Sequence, residues 1–448
     1  MQNEKSTPPA FPQESLVQNA GFSEPVTLNN PKTMRAWTYF DCANSAHSLV
    51  IGVAIFPPFF EAVAPKMIKF MSYQIPNSSM LAYALTISYL FIALTQPILS
   101  GIADYGGKRK TFMQLFTILG ASACISMFWM DNPEAWQIGF WAYIVSMIGY
   151  AGGVVFNNSF LPLISTPDKF DGLSARGFTL GYIGGTLLLI ANLICVIYWQ
   201  QIGFADEGVA TRTAFLMVGM WWFGFSLIPY FGLPNDRKEP LSIKAFTSGF
   251  GELKKVWRAV NQQPNIKRFL LAFFFYDAGV QTLIFLAAVF AGKVLNFKTF
   301  ELIALVILLQ LVAALGAWVF AKVSEAKGNK WTISVMLMVW TLISFLAFFI
   351  QDKIPFYGLG VLLGMVMGGT QSLSRSAYSK LMPTGTTDTT TFFSFYDLTD
   401  KVAVVIGTFT FGLIDQLVGI RYSVLMLGFL FLIGLLLLSR VKFDENQS

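Results

Sequence analysis

The chain has 448 residues, 54% hydrophobic, 16% aromatic and only 12% charged, with a mean hydropathy of +0.57. A soluble chain carries about 25% charged residues, so 44 Phe and 11 Trp cannot be hidden in one water-soluble core, and the composition reads as a polytopic membrane protein. The formal charge of +6 sits in short loops between apolar runs, which fits membrane topology and argues against a nucleic-acid partner.

The opening stretch, polar and proline-rich, has no early apolar run and is not a signal peptide. Residues 1–35 are expected as a disordered cytoplasmic tail. Crossing about 30 Å of hydrocarbon takes about 20 apolar residues. Twelve segments qualify: 36–62, 82–103, 111–130, 137–163, 174–200, 211–231, 268–292, 299–321, 331–350, 355–381, 391–415 and 420–439. Lys and Arg favour the side holding both termini by roughly three to one, which makes that side cytoplasmic.

The first span begins YFDCANSAHS, where Asp41, Asn44 and Ser45, with Ser48 one turn on, share one helix face. His47, the only histidine, lies about 100° from that face centre. Span two ends in SGIADYGGKRK, Ser100 to Lys110. There Asp104 is placed to accept bonds from neighbouring helix N-termini and basic side chains. Gly107 permits a tight turn, and Lys108 and Arg109 hold the loop at the inner surface. Span four contributes Asn157 and Asn158. Glycines four apart, such as Gly177, Gly181 and Gly185 in span five or Gly360, Gly364 and Gly368 in span ten, share a face and favour close helix packing.

The connection 232–267 includes FTSGFGELKKVWRAV, Phe246 to Val260, read as an amphipathic helix on the inner membrane surface. Span seven carries Tyr276, Asp277 and Gln281, and span ten carries Gln371, Ser374 and Arg375. Buried polar groups cost about 2.5–3.5 kcal/mol each at mid-span and so tend to be paired or functional. In span eleven Asp397 and Lys401 stand one turn apart and are expected to pair, with Asp400 competing for Lys401. Asp104 lies 221 residues before Glu325, and Leu161-Pro162 lies 221 before Met382-Pro383. One offset at two helix ends points to a duplicated unit: bundles 36–231 and 268–440, a linker 232–267 and a tail 441–448, with a site near the midplane. Glu325 is then the second-half counterpart of Asp104 at the inner gate.

The SGIADYGGKRK loop resembles the signature of the major facilitator superfamily. From Trp37 onward, WTYFDCANSAHS, FNNSFLPLIS, GFTLGYIGG, FFFYDAGVQTLIFLAAVF, GGTQSLSRSAYSKLMP and FFSFYDLTDKVAVVIG resemble that superfamily's autophagy-related vacuolar effluxer family. Cys42 replaces an aromatic of the family pattern, and Leu163 a frequent carboxylate. The resemblance implies twelve helices in two pseudo-symmetric bundles, with helices one, four, seven and ten lining the cavity. It also implies secondary transport, with amino-acid export the best-known activity of vacuolar members.

The chain is therefore expected to be an all-α integral protein of the cell membrane, a non-enzymatic monomer without cofactor or metal. It would move a small polar solute, amino acids first, with protons as coupling ions. A lipid- or drug-moving transporter of the same fold, or a non-transporting receptor or scaffold, are the alternatives. Asp41 and Asp277 stand as either a proton-coupling pair or inner-gate locks.

Overall fold

The computed structural model describes residues 21–70, 73–239, 243–383 and 385–443. Among them, eleven segments are long and apolar enough to cross a membrane: α1 (Pro31–Leu49, extended to Val63), α2 (Asn77–Gly106), α3 (Arg109–Ser126, to Trp129), α4 (Trp136–Ile164), α5 (Phe170–Ile197), α6 (Glu207–Gly232), α8 (Thr299–Lys327), α9 (Asn329–Phe349), α10 (Lys353–Leu381), α11 (Thr389–Val418) and α12 (Ile420–Leu438). The twelfth, α7 (Pro264–Leu295), bends by 49° between Ile284 and Ala287. The chain is an all-α, multi-pass integral membrane protein.

Local chemistry accounts for the irregular first span. Pro57 and Pro58 cannot donate back to the preceding turn. The chain widens into a π-turn at Val50–Ala54, with Ile55 N–H donating to Val50 O at 2.9 Å, before the helix resumes at Phe56. The connection after it, read from the sequence only as a longer outer loop, holds an antiparallel hairpin of β1 (Met67–Phe70) and β2 (Tyr73–Pro76).

Within the first half, α1 packs on α5 and α6, and α4 on α2 and α3. In the second half, α8 packs on α10, and α12 on α7 and α9. The halves meet where α5 crosses α8 and α10, and where α11 crosses α2 and α4. Glycine sets the closest approaches: a Cβ at Gly181 would meet Ser45 Oγ at 2.5 Å, and one at Gly368 would meet Ala313 O at 1.9 Å. The turns after α2 and α8 use the same device 221 residues apart, with φ of +61° at Gly107 and +80° at Gly328.

Two expectations need correction. The expected disordered tail 1–35 extends into ordered chain; residues 1–20 lie outside the described residues, as do 444–448. Phe22 is buried and stacks on Phe160 at 5.9 Å, Ser23 N–H donates to Asn235 O at 2.9 Å, and Asn29 N–H donates to Ile164 O at 2.9 Å. Asn30 accepts from Lys32 N–H at 3.0 Å and Pro31 follows it, a cap and first-turn pair that starts α1 five residues early. The second concerns the linker helix, Ile243–Gln262, expected on the membrane surface. It packs against α2, with Val256 and Val260 buried in the second-half core and the Trp257 ring tilted against Phe395 at 5.6 Å. Val256 and Val260 thus face protein, while Trp257 is 54% exposed.

Candidate functional site: a polar cavity between the two halves

A cavity of about 160 Å³ lies where the halves face each other. Its walls carry Asp41, Asn44 and Ser45 of α1, Tyr150 and Asn158 of α4, and Asp277 and Gln281 of α7. They also carry Gln371, Ser374 and Arg375 of α10 and Tyr396, Asp397, Asp400 and Lys401 of α11. Of the twelve residues expected to form the substrate or proton pathway (Asp41, Asn44, Ser45, His47, Asn157, Asn158, Tyr276, Asp277, Gln281, Gln371, Ser374 and Arg375), nine converge there.

Three do not. His47 is fully buried inside the first half, with Nε2 3.1 Å from Ser146 Oγ and its ring 5.2 Å from Tyr150 and 5.0 Å from Trp222. The offset from the polar face turns it into the aromatic core. Asn157 faces protein rather than the cavity, and its carbonyl accepts from Trp37 Nε1 at 2.7 Å. Tyr276 lies behind the wall, its hydroxyl 2.8 Å from Ser374 Oγ, where it steadies a lining residue.

Arg375 is the hub of the cavity floor. A guanidinium has five N–H donors, and all five are engaged. They reach Asp41 Oδ1 at 3.3 Å and Oδ2 at 2.9 Å, Asn158 Oδ1 at 3.1 Å, Ser174 Oγ at 2.9 Å and Ser174 O at 2.9 Å. Trp37 and Phe178 cover its two faces, with ring centroids at 4.7 and 4.4 Å. One second-half side chain thus ties together α1, α4 and α5 of the first half. Tyr182 adds a further cross-half bond by donating to Gln371 Oε1.

The opposite wall holds a dense charge cluster. Lys401 Nζ lies 2.5 Å from Asp400 Oδ2 and 3.1 Å from Asp397 Oδ1. The expected pair is present, but Lys401 is shared, and the cluster faces the cavity rather than standing apart from it. Gln281 Nε2 donates to Asp400 Oδ1 at 3.1 Å. Asp277, beside Asp400, is only 3% exposed, and its Oδ2 has no hydrogen-bond partner among the described residues.

Polar locks join the halves at the end where both termini lie. Asp104 accepts from Arg109 Nε at 2.9 Å, from the Thr390 and Thr391 backbone N–H groups at 3.3 and 2.7 Å, and from Thr391 Oγ1 at 2.7 Å. The carboxylate thus sits on the N-terminus of α11, where the helix dipole and free N–H groups favour an anion. Arg109 itself donates to Thr390 Oγ1 at 3.0 Å and to the Thr387 carbonyl. Lys108 donates to Arg237 O at 2.5 Å and so holds the linker.

Glu325 departs from its expected role. It is exposed and has no hydrogen bond or ion pair among the described residues. The second lock comes instead from Asp171 in the first turn of α5. It accepts from Lys380 Nζ at 3.0 Å and Asn329 Nδ2 at 2.9 Å, all three groups being buried. An acidic residue in the first turn of span five was the signal available for it.

A family model described as "Vacuole effluxer Atg22 like" matches residues 29–447. The chain belongs to the Atg22-like vacuole effluxer family. Among its relatives is the "Uncharacterized MFS-type transporter YxiO" of Bacillus subtilis, 30% identical over 93% of this chain and 96% of that one. Autophagy-related protein 22 of Saccharomyces cerevisiae is 27% identical over 82% of this chain and 77% of its own. Among solved structures, the major facilitator transporter FucP in the outward conformation superposes with a TM-score of 0.68 at 11% identity, covering 93% of this chain and 99% of that one. The human organic anion transporter MFSD10 gives 0.69 at 14% identity, covering 92% and 100%. The chain has the major facilitator fold.

Proposed function

We propose that this protein is a secondary active transporter that moves a small polar solute, amino acids first, by alternating access. The supporting observation is the pairing of a polar cavity between the halves with cross-half locks gathered at one end. Arg375, Asp104 and Asp171 close that end, and releasing them would open the cavity to it. The two halves, 36–231 and 268–440, would rock as bodies around the cavity.

Proton coupling is the second part of the reading, and Asp277 is the group assigned to it. Asp41 was expected either to form a proton pair with Asp277 or to lock the gate; both its oxygens are committed to Arg375, which favours the gate role for it. Asp277 lines the cavity and keeps one buried oxygen, Oδ2, without a partner among the described residues. At about 160 Å³ the cavity is smaller than the roughly 300 Å³ at the low end for drug-sized ligands, which favours a small solute over a lipid or drug. The basic end is taken as cytoplasmic, in a cell membrane, following the loop charges.

A panel of radiolabelled amino acids, offered to proteoliposomes and to protein-free vesicles, tests this reading. Uptake of at least one amino acid above the protein-free level supports it. Uptake indistinguishable from protein-free vesicles across amino acids, sugars and peptides would refute it.

A further inference from the structure

The cavity's donors and acceptors are unequally occupied. Its two cations are spent on the protein itself: Arg375 uses every N–H, and Lys401 is held by two carboxylates. The Gln281 amide donates to Asp400, and Gln371 Oε1 is taken by Tyr182. Of the residues that line the cavity, two hold a buried polar atom without a partner among the described residues, and both atoms are acceptors, Asp277 Oδ2 and Asn44 Oδ1. Four carboxylates, Asp41, Asp277, Asp397 and Asp400, face two cations there. Tyr150, Phe178, Phe273 and Tyr396 supply aromatic walls, a surface that attracts cations through the ring faces.

We propose that the cavity is built for a cation: the ammonium group of a small amine-bearing solute binds at Asp277, and a proton takes its place there when the solute leaves. A solute carboxylate finds no free donor on Arg375 while the Asp41 bridge stands. An ammonium brings three donors to a site whose buried unpaired atoms are acceptors. A buried cluster that carries excess negative charge is stabilised by one positive charge at a time, so proton and ammonium exclude each other. The titratable groups facing Asp277 are Asp400, Lys401 and Tyr396 of α11 and Tyr276 beside it on α7. Asp397 of α11, Tyr150 of α4 and Tyr89 of α2 complete the same charge network around Lys401. Asp400 and Gln281 hydrogen-bond the Asp277 side chain, and Oδ2 is the oxygen left unpaired. The proton half of the proposal rests on the transport reading above, whereas the ammonium half stands on the cavity alone.

Thermal-shift titration of the purified full-length protein in nanodiscs separates the possibilities. The probes are leucine, its decarboxylated amine 3-methylbutylamine, its deaminated acid 4-methylpentanoate, and lysine. The amine-bearing probes are expected to raise Tm and 4-methylpentanoate to leave it unchanged. Amine binding should weaken as pH falls, because protons occupy the same carboxylate. Asp277→Asn should weaken amine binding about tenfold to hundredfold, the range of a hydrogen bond to a charged group, while Asp277→Glu retains the preference. Equal stabilisation by 4-methylpentanoate, no stabilisation by any amine, or an unchanged amine affinity in Asp277→Asn would each overturn the proposal. If amines bind but no solute crosses the membrane, the transport reading fails and the site stands. If solutes lacking an ammonium cross while amines do not bind, the reverse holds.

Discussion

Asp41→Asn is the perturbation whose consequence follows most directly from the geometry. Asp41 supplies the countercharge and two of the five bonds on Arg375, with side-chain exposures of 13% and 4%. Breaking a buried ion pair by removing one partner costs about 3–5 kcal/mol, because the other charge stays buried and uncompensated. An asparagine amide oxygen can still accept one bond, which brings the penalty below that range, to about 2–3 kcal/mol. That penalty exists only while the floor is closed, since an opened floor hydrates Arg375. At about 1.4 kcal/mol per tenfold, the closed-to-open ratio should fall roughly 30- to 150-fold. Spin labels on cysteines at Lys169 and Lys327, exposed positions at the same end in opposite halves, read this by pulsed electron–electron distance measurement in a background with the three native cysteines replaced. A longer-distance population should appear in Asp41→Asn. The double variant Asp41→Asn/Arg375→Gln should shift less than the single, because no unpaired charge remains. A distance distribution superimposable on the parent protein would refute the claim that this bridge holds the floor shut.

Asp104→Asn removes both the charge opposite Arg109 and the anionic cap on α11. Transport should slow roughly tenfold or more with expression and apparent affinity kept; an unchanged initial rate in proteoliposomes would make the turn merely structural. Lys401→Met should lower Tm more than Lys401→Met combined with Asp400→Asn or Asp397→Asn, because the single change strands carboxylates. Tm losses that simply add would dismiss the pairing. Gly368→Ala must displace the Ala313 carbonyl, at 1.9 Å from the new carbon, and should cost about 1–3 kcal/mol, whereas Gly358→Ala meets nothing within 4 Å and should be neutral in the same melting assay.

The sequence made the spans legible because bilayer thickness imposes a length and apolarity that no soluble helix needs. The polar faces of spans one, four, seven and ten were legible for a related reason, since each intramembrane Asp or Asn costs enough to be placed on purpose. Asp104 was readable because a carboxylate beside a glycine turn and a basic run has few other uses. What stayed hidden depends on pairing across distance. Arg375 and Asp41 lie 334 residues apart, on helices whose relative rotation no single span encodes. Asp171, not Glu325, supplies the second lock, so the 221-residue offset located the turn but not its partner. His47 showed the limit of residue type as a guide: an imidazole 100° off a polar face is packed as an aromatic ring. Phe22 was misread because a proline-rich, polar tail conceals one anchoring aromatic among residues that suggest no structure.

Substrate accumulation in proteoliposomes under an imposed pH gradient tests the central claim most directly, comparing the native protein with Asp277→Asn. The account predicts that the native protein concentrates a transported amino acid and loses this on addition of a protonophore. Asp277→Asn should still exchange labelled for unlabelled substrate, more weakly, without concentrating it. Accumulation by Asp277→Asn to the native level, or none by the native protein under either polarity of the gradient, would contradict it.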